Sequence, residues 1–307
     1  MNYTNLKRSL ESKFNIRCKL NHSLKLCSSF HLGGTARLFA EPATTAALVS
    51  LIKFCRLEKI SYYMVGNGSN VIFSDKPFEG VIITTKKINR IKFRKNIIVA
   101  EAGINLDTLV KRSIKKALAG FEELSHIPGS LGGAIRMNAG AFHAEVADYL
   151  VDVKVLDPQN RIKTLNRYNI DFGYREAPPL NSMIILEARF RLFRDNVKDL
   201  MRRRREIIKK RNRKHPLKYP SAGSVFKRPE GYFVRKLIEL SGLPGKRVGG
   251  AQISKKHPGF IVNLGNAKSS DVVKLIKIIR DKIFKNFKLN LELEQIIVGD
   301  DLMRMLK

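Results

Sequence analysis

Val65-Gly66-Asn67-Gly68-Ser69-Asn70-Val71 lies between two apolar runs, Tyr62-Tyr63-Met64-Val65 and Val71-Ile72-Phe73. Both runs favour strands, so the stretch reads as strand, loop, strand. A longer glycine-dense stretch follows: Ile127-Pro128-Gly129-Ser130-Leu131-Gly132-Gly133-Ala134-Ile135-Arg136-Met137-Asn138-Ala139-Gly140-Ala141. Without a Cβ, glycine lets a backbone approach a ligand closely and turn successive N–H groups toward an anion, so a pyrophosphate can be held without lysine or arginine. The first stretch is neither a dinucleotide fingerprint nor a P-loop, which must open a helix, because Gly66-x-Gly68 lacks a third glycine and no Lys-Ser/Thr follows. A hairpin turn and a structural loop compete with ligand binding for either stretch alone. Two such stretches in one chain bring the readings level.

The 307 residues suffice for about two domains with cores of their own. A hydrophobic content of 44% with 28% charged residues fits a folded globular chain and excludes disorder. Residues 1–20 hold no apolar run long enough for a signal peptide, and no uncharged stretch reaches spanning length. A cytoplasmic chain without membrane association is therefore expected. Cys18, Cys27 and Cys55 are odd in number and form no C-x-x-C pair, so neither a disulfide framework nor a metal site is expected.

The net charge of +31 invites nucleic acid as a partner. Basic residues are spread along the whole chain, however, with one dense segment from Arg202 to Lys218. Leu200, Met201, Ile207 and Ile208 give that segment a thin apolar stripe and Pro216 ends it, which reads as a solvated amphipathic helix. No helix-turn-helix, zinc-finger or base-stacking pattern occurs. Anionic small molecules, not nucleic acid, are the expected partners.

Strand and helix patterns alternate along the chain. A strand is expected over 36–41, a helix opened by Pro42 up to Leu57, and strands near Tyr62, Val71 and Val81. Residues 91–93 and 97–100 pattern as a hairpin, followed by a helix over 106–118. Residues 148–157, 161–165 and 183–193 alternate like antiparallel strands with one solvated face. Beyond the basic helix come a loop at Ser221-Ala222-Gly223-Ser224, a helix over 232–240, a strand over 260–263, a helix over 271–284 and a strand over 291–298.

Five motifs in this order resemble one family: Gly66-Asn67-Gly68-Ser69-Asn70; Ile127-Pro128-Gly129 with Met137-Asn138-Ala139-Gly140-Ala141; Tyr174-Arg175; Gly223-Ser224-Val225-Phe226-Lys227; and Leu291-Glu292-Leu293-Glu294. The chain is similar to the UDP-N-acetylenolpyruvoylglucosamine reductases from Ser28 to Gly299, and to their shorter type, without the extra tyrosine-bearing loop. The resemblance implies an α+β chain: a two-subdomain FAD-binding fold of the vanillyl-alcohol-oxidase (PCMH) kind plus a C-terminal α/β substrate domain, divided as 1–86, 87–199 and 200–307. It implies reduction of UDP-N-acetylglucosamine enolpyruvate to UDP-N-acetylmuramate with NADPH, through non-covalent FAD, in peptidoglycan precursor synthesis, by a monomer.

The resemblance also distributes roles. Arg175, Ser224 and Glu294 correspond to the catalytic residues: the arginine and glutamate for the charge that develops on the enolpyruvyl group, the serine for its proton. Gly66, Asn67, Gly68, Ser69, Asn70, Ile127, Pro128, Gly129, Ser130, Gly133, Ala134, Asn138 and Gly140 correspond to the FAD cradle, and Tyr174, Lys227 and Arg228 to substrate contacts. Read from the residues alone, Arg175 could be a surface arginine, Ser224 the end of a turn, and Glu292 could stand in for Glu294, since the two share one face of a strand. Arg228 stands where the family commonly has Asn, Glu176 where serine is usual, and His143-Ala144 where a glycine pair is frequent. Two rivals remain: another flavin oxidoreductase of the same fold, and a basic nucleic-acid-binding module centred on Arg202–Lys218.

Overall fold

The computed structural model describes residues 1–306. Among the described residues there are eight α-helices: α1 (Tyr3–Phe14), α2 (Thr45–Leu57), α3 (Leu106–Lys115), α4 (Leu131–Arg136), α5 (Val197–Lys214), α6 (Val234–Leu240), α7 (Ser269–Phe287) and α8 (Asp300–Leu306). The chain forms two compact units. The first gathers residues 1–20, 38–67 and 81–211, and the second gathers 21–37, 68–80 and 212–307.

Two sheets lie wholly or mostly in the first unit. One has the order Arg17–Ser23, Thr35–Glu41, Phe78–Thr84, Tyr62–Val65, with the last two parallel. The other is antiparallel throughout, in the order Ile162–Asn166, Leu150–Leu156, Ile184–Arg191, Ile97–Glu101, Ile91–Arg94. α3 buries Leu106, Leu109, Val110, Ser113 and Ile114, the i, i+3, i+4, i+7, i+8 face of an amphipathic helix, in a core shared with Ile98, Val153, Val155 and Phe190 of that sheet. Asn105 caps it by accepting the Thr108 N–H at 3.0 Å. α1 and α2 bury Leu10, Leu48, Leu51, Ile52 and Cys55 in a second core with Val81 and Ile83. Each such aliphatic side chain is worth about 1.5–3 kcal/mol when fully buried.

In the second unit Arg247–Val248, Ala251–Ile253 and Ile261–Asn263 form an antiparallel meander, and Ile296–Val298 pairs parallel with Val71–Phe73. α7 lays Val272, Val273, Ile276, Ile279 and Ile283 into a core with Ile72, Val225, Ile238, Ile253 and Ile261.

The strands flanking the first glycine stretch have the expected bounds, yet they lie in separate sheets, so the loop is no hairpin. The chain leaves one unit for the other within it, between Asn67 and Gly68. Part of the second stretch, expected as loop, winds into α4 behind the Ser130 cap. α2 begins at Thr45 and not at Pro42, because the Thr44 hydroxyl accepts the Ala47 N–H at 3.1 Å. α5 stops before His215, as the residue preceding Pro216 is kept out of helical geometry. Of the strand expected over 291–298, only Ile296–Val298 is regular, and Leu293 makes a single bridge to Phe226. α1, the strand Arg17–Ser23 and α8 were not anticipated.

Candidate active site

The two glycine stretches meet inside the first unit. A Cβ on Gly66 would collide with the Ser130 side chain, so glycine is what allows the loops to touch. Ser130 is itself tied down: Leu106 N–H donates to Gly129 O at 3.0 Å, and Leu131 and Gly132 donate to Ile104 O and Ala102 O, both at 2.8 Å. The other half of the first loop works within the second unit. The Asn70 amide donates to Glu294 O at 2.8 Å, and Ile296 N–H donates to Asn70 O at 2.9 Å, so the loop holds the backbone around Glu294.

Arg175 occupies a tight turn. Gly173 N–H donates to Glu176 O at 3.0 Å and Glu176 N–H returns to Gly173 O at 3.4 Å, leaving Tyr174 and Arg175 as the central residues. Arg175 has φ +61°, a left-handed conformation that costs a non-glycine residue energy. Its guanidinium donates from Nη1 to Asn138 O at 3.3 Å and from Nη2 to Gly140 O at 2.7 Å, lies 3.8 Å from Glu145 Oε1, and faces the Tyr174 ring at 5.0 Å. Asn138, 1% exposed, fastens this loop to the turn: Nδ2 donates to Gly173 O at 3.0 Å and Glu145 Oε2 at 2.6 Å, while Oδ1 accepts Ala147 N–H. The surface-arginine reading therefore fails.

Ser224 and Glu294 belong to the second unit. Gln295 Nε2 donates to Ala222 O at 2.9 Å and Gly223 O at 3.3 Å, and Glu294 N–H donates to Val225 O at 2.9 Å. Both neighbours of Ser224 are thus fixed, while its hydroxyl makes no hydrogen bond to a described residue. Lys227 Nζ pairs with Glu292 at 2.7 Å, and Lys227 N–H donates to Glu292 O. Of the two glutamates flanking Leu293, Glu292 is exposed and its carboxylate is the one paired at this distance with Lys227.

A model described as "FAD binding domain" matches residues 36–166, and one described as "UDP-N-acetylenolpyruvoylglucosamine reductase, C-terminal domain" matches 215–298. The UDP-N-acetylenolpyruvoylglucosamine reductase of Clostridium kluyveri is 41% identical over 284 residues, 92% of this chain and 93% of that protein. The protein of the same name from Clostridium tetani is 40% identical over 92% of each. The crystal structure of the reductase from Thermus caldophilus aligns with a TM-score of 0.78 at 31% identity, covering 92% of this chain and 99% of that one. The chain belongs to the UDP-N-acetylenolpyruvoylglucosamine reductase family.

Membership in the reductase family makes the chain an FAD-dependent oxidoreductase of α+β fold, and its glycine loops fit a flavin nucleotide. A Cβ on exposed Gly133 would meet nothing closer than Ser130 Oγ at 3.4 Å, so packing does not demand glycine there, and the bare backbone leaves room beside a serine hydroxyl. Not every residue expected in the cradle has a side chain free for it. The Asn138 amide is committed to protein partners, and Ala134 is buried on the core side of α4. Of the residues expected to meet substrate, Tyr174 is half-exposed and Arg228 lies exposed over the Phe233 ring at 5.2 Å.

The reductase's other chemistry-bearing groups have structural employment. His257 packs edge-on against His215 and Phe260, and burial, with Arg235 next, lowers its pKa. The three cysteines are buried free thiols, and burial pushes Cys18 and Cys55 up to about 12. In the basic helix, Arg203 bonds Glu122 and Asp195, and Arg204 bonds both oxygens of Asp107. A cavity of about 470 Å³ beside this helix is lined by Glu122, Glu123, His143, Arg203, Glu206 and Lys210 among others, and by none of the expected site residues. Among the described residues no cluster fit to hold a metal ion occurs, and no helix is long and apolar enough to cross a membrane. Glu145 and Gln295, which position Arg175 and Ser224 through Asn138 and the 222–223 carbonyls, carried no motif that pointed to them.

Proposed function

We propose that the chain reduces UDP-N-acetylglucosamine enolpyruvate to UDP-N-acetylmuramate with NADPH, in peptidoglycan precursor synthesis, and that Arg175, Ser224 and Glu294 carry the reaction. The observation that supports these roles best is the anchoring of Arg175 to the glycine-rich loop in a left-handed turn, because strain of that kind survives where position matters more than local stability. In this reading residues 1–86 and 87–199 hold the flavin, residues 200–307 take the nucleotide substrate, and the protein works as a cytoplasmic monomer. Lys227, Arg228 and Tyr174 contact the substrate.

Bound FAD supplies the two-electron step that delivers reducing equivalents to C3 of the enolpyruvyl group. Negative charge then develops at C2 and spreads into the carboxylate. The bonds that Arg175 gives to Asn138 O and Gly140 O set the direction of its guanidinium before the reaction starts, so its charge meets the developing one without reorganisation. Glu294, in its protonated form, donates a second hydrogen bond to the same charge. Ser224 gives its hydroxyl proton to C2, which is basic enough at that moment to take it. Lys227, three residues on, limits the charge left on the serine oxygen, and its own pairing with Glu292 keeps the ammonium in place.

Single-turnover kinetics test the assignment. Ser224→Ala should be reduced by NADPH at the wild-type rate and then fail to pass the electrons to the enolpyruvyl nucleotide, slowed on the order of 10²- to 10⁴-fold. Flavin reoxidation by the nucleotide at the wild-type rate would remove Ser224 from the mechanism.

A further inference from the structure

The arginines of α5 are not equivalent. Arg203 and Arg204 end in carboxylates. Arg211, two turns further on, is 9% exposed, donates to no described residue, and has an Nε shut off from solvent without a partner. Its guanidinium lies 5.8 Å from the centre of the Phe142 ring. Burial and then repulsion from Arg175 lower its pKa to about 10, with Asp107 acting in the opposite sense. Phe142, at φ +58°, directly follows the 138–141 loop whose carbonyls bind Arg175. Two guanidinia thus attend one loop, and the one left without a hydrogen bond is nine-tenths buried.

Burying a cation without a hydrogen-bond partner, under the influence of a like charge, is costly. The arrangement becomes favourable when an oxyanion arrives, because planar guanidinia hold carboxylates and phosphates through paired N–H···O bonds and shed their water more readily than an ammonium does. We propose that Arg211 is an oxyanion-binding residue, receiving together with Arg175 a carboxylate or phosphate group of one of the two anionic substrates. The inference rests on the reading of Arg175 as the arginine of the reacting centre.

The test compares flavin-loaded wild type, Arg211→Met and Arg211→Lys, with UDP-N-acetylglucosamine enolpyruvate and NADPH added one at a time. Without substrate, Arg211→Met should melt at or above the wild-type temperature, since an unpaired buried charge has gone. The dissociation constant of the nucleotide, from its perturbation of the flavin spectrum, or that of NADPH, from the concentration dependence of flavin reduction, should rise about 10- to 100-fold. Arg211→Lys, which keeps charge and stem but loses the fork, should fall between, and it carries the same measurement if the methionine variant does not fold. Weakening confined to the nucleotide identifies its carboxylate or diphosphate as the anion. Weakening confined to NADPH identifies a phosphate of that molecule, and weakening of both identifies a subsite they occupy in turn. Dissociation constants for both substrates within about twofold of wild type overturn the proposal and leave Arg211 a structural cation. The Arg175 reading fails by a different result, unchanged turnover in Arg175→Lys, whatever the Arg211 variants do.

Discussion

The turn at 173–176 fixes its arginine by two carbonyls, a nearby carboxylate and an aromatic face, whereas the segment 222–225 fixes its backbone and leaves the Ser224 hydroxyl without a hydrogen bond to a described residue. The contrast matches the two tasks proposed for these residues. A group that stabilises developing charge works best when its dipoles are oriented beforehand, so that no reorganisation accompanies the reaction. A group that gives up a proton must keep its O–H uncommitted until a base is presented to it. The first unit supplies rigidity at the cost of a left-handed arginine; the second supplies a held backbone with a free hydroxyl.

Arg175→Lys attacks the rigid half of this contrast and carries the largest effect expected here. A single ammonium cannot span Asn138 O and Gly140 O while facing a ligand, so turnover should drop about 10²- to 10³-fold with flavin reduction by NADPH far less affected, as read by separate half-reaction kinetics. Glu294→Ala against Glu292→Ala probes the other half. Removing Glu294 should cost about 10²-fold in turnover, whereas removing the exposed Glu292 should change it by no more than about threefold. Equal losses in steady-state assays would show that both carboxylates matter and contradict the assignment of the role to Glu294 alone.

Asn138→Ala tests whether the turn is held from the loop. It leaves Gly173 O and Glu145 without their buried donor, so it should lower stability by about 1–3 kcal/mol in denaturant unfolding and reduce turnover about tenfold through misdirection of Arg175. The smallest effect concerns Asp107 under α5. Burial alone would raise its carboxyl, but the bonds from Arg204, His126 N–H and Lys111 outweigh it and hold the group at about 2. A pKa depressed by folding gives stability that is complete above the unfolded carboxylate range and is lost as pH falls toward the folded value. Asp107→Asn should therefore remove about 1–2 kcal/mol at neutral pH, after allowance for partial solvation, and much less near pH 2, in acid unfolding curves.

Periodicity carried much of the fold. The α3 and α7 faces and the alternating antiparallel strands were legible because one side of each is buried, which writes the period into the sequence. The partners of the strands around Gly66–Asn70 were not legible, since a strand's apolar character says nothing about which sheet it joins. α1 carries only a thin signal, the Asn2 cap with Leu6 and Leu10 one turn apart, diluted among polar neighbours.

At the site, the glycine stretches announced close backbone approach, and Gly66 against Ser130 is such an approach. The left-handed Arg175 had no sequence signal, because only glycine and asparagine advertise positive φ. Arg211 was hidden for the opposite reason: it sits in a run of arginines whose solvated majority conceals a buried member.

Substrate-dependent NADPH oxidation by the purified, flavin-loaded protein tests the central claim most directly. The account predicts that the yellow protein consumes NADPH slowly by itself and rapidly when UDP-N-acetylglucosamine enolpyruvate is added, with one UDP-N-acetylmuramate formed per NADPH. Flavin-loaded protein whose NADPH consumption is indifferent to the enolpyruvyl nucleotide would contradict it.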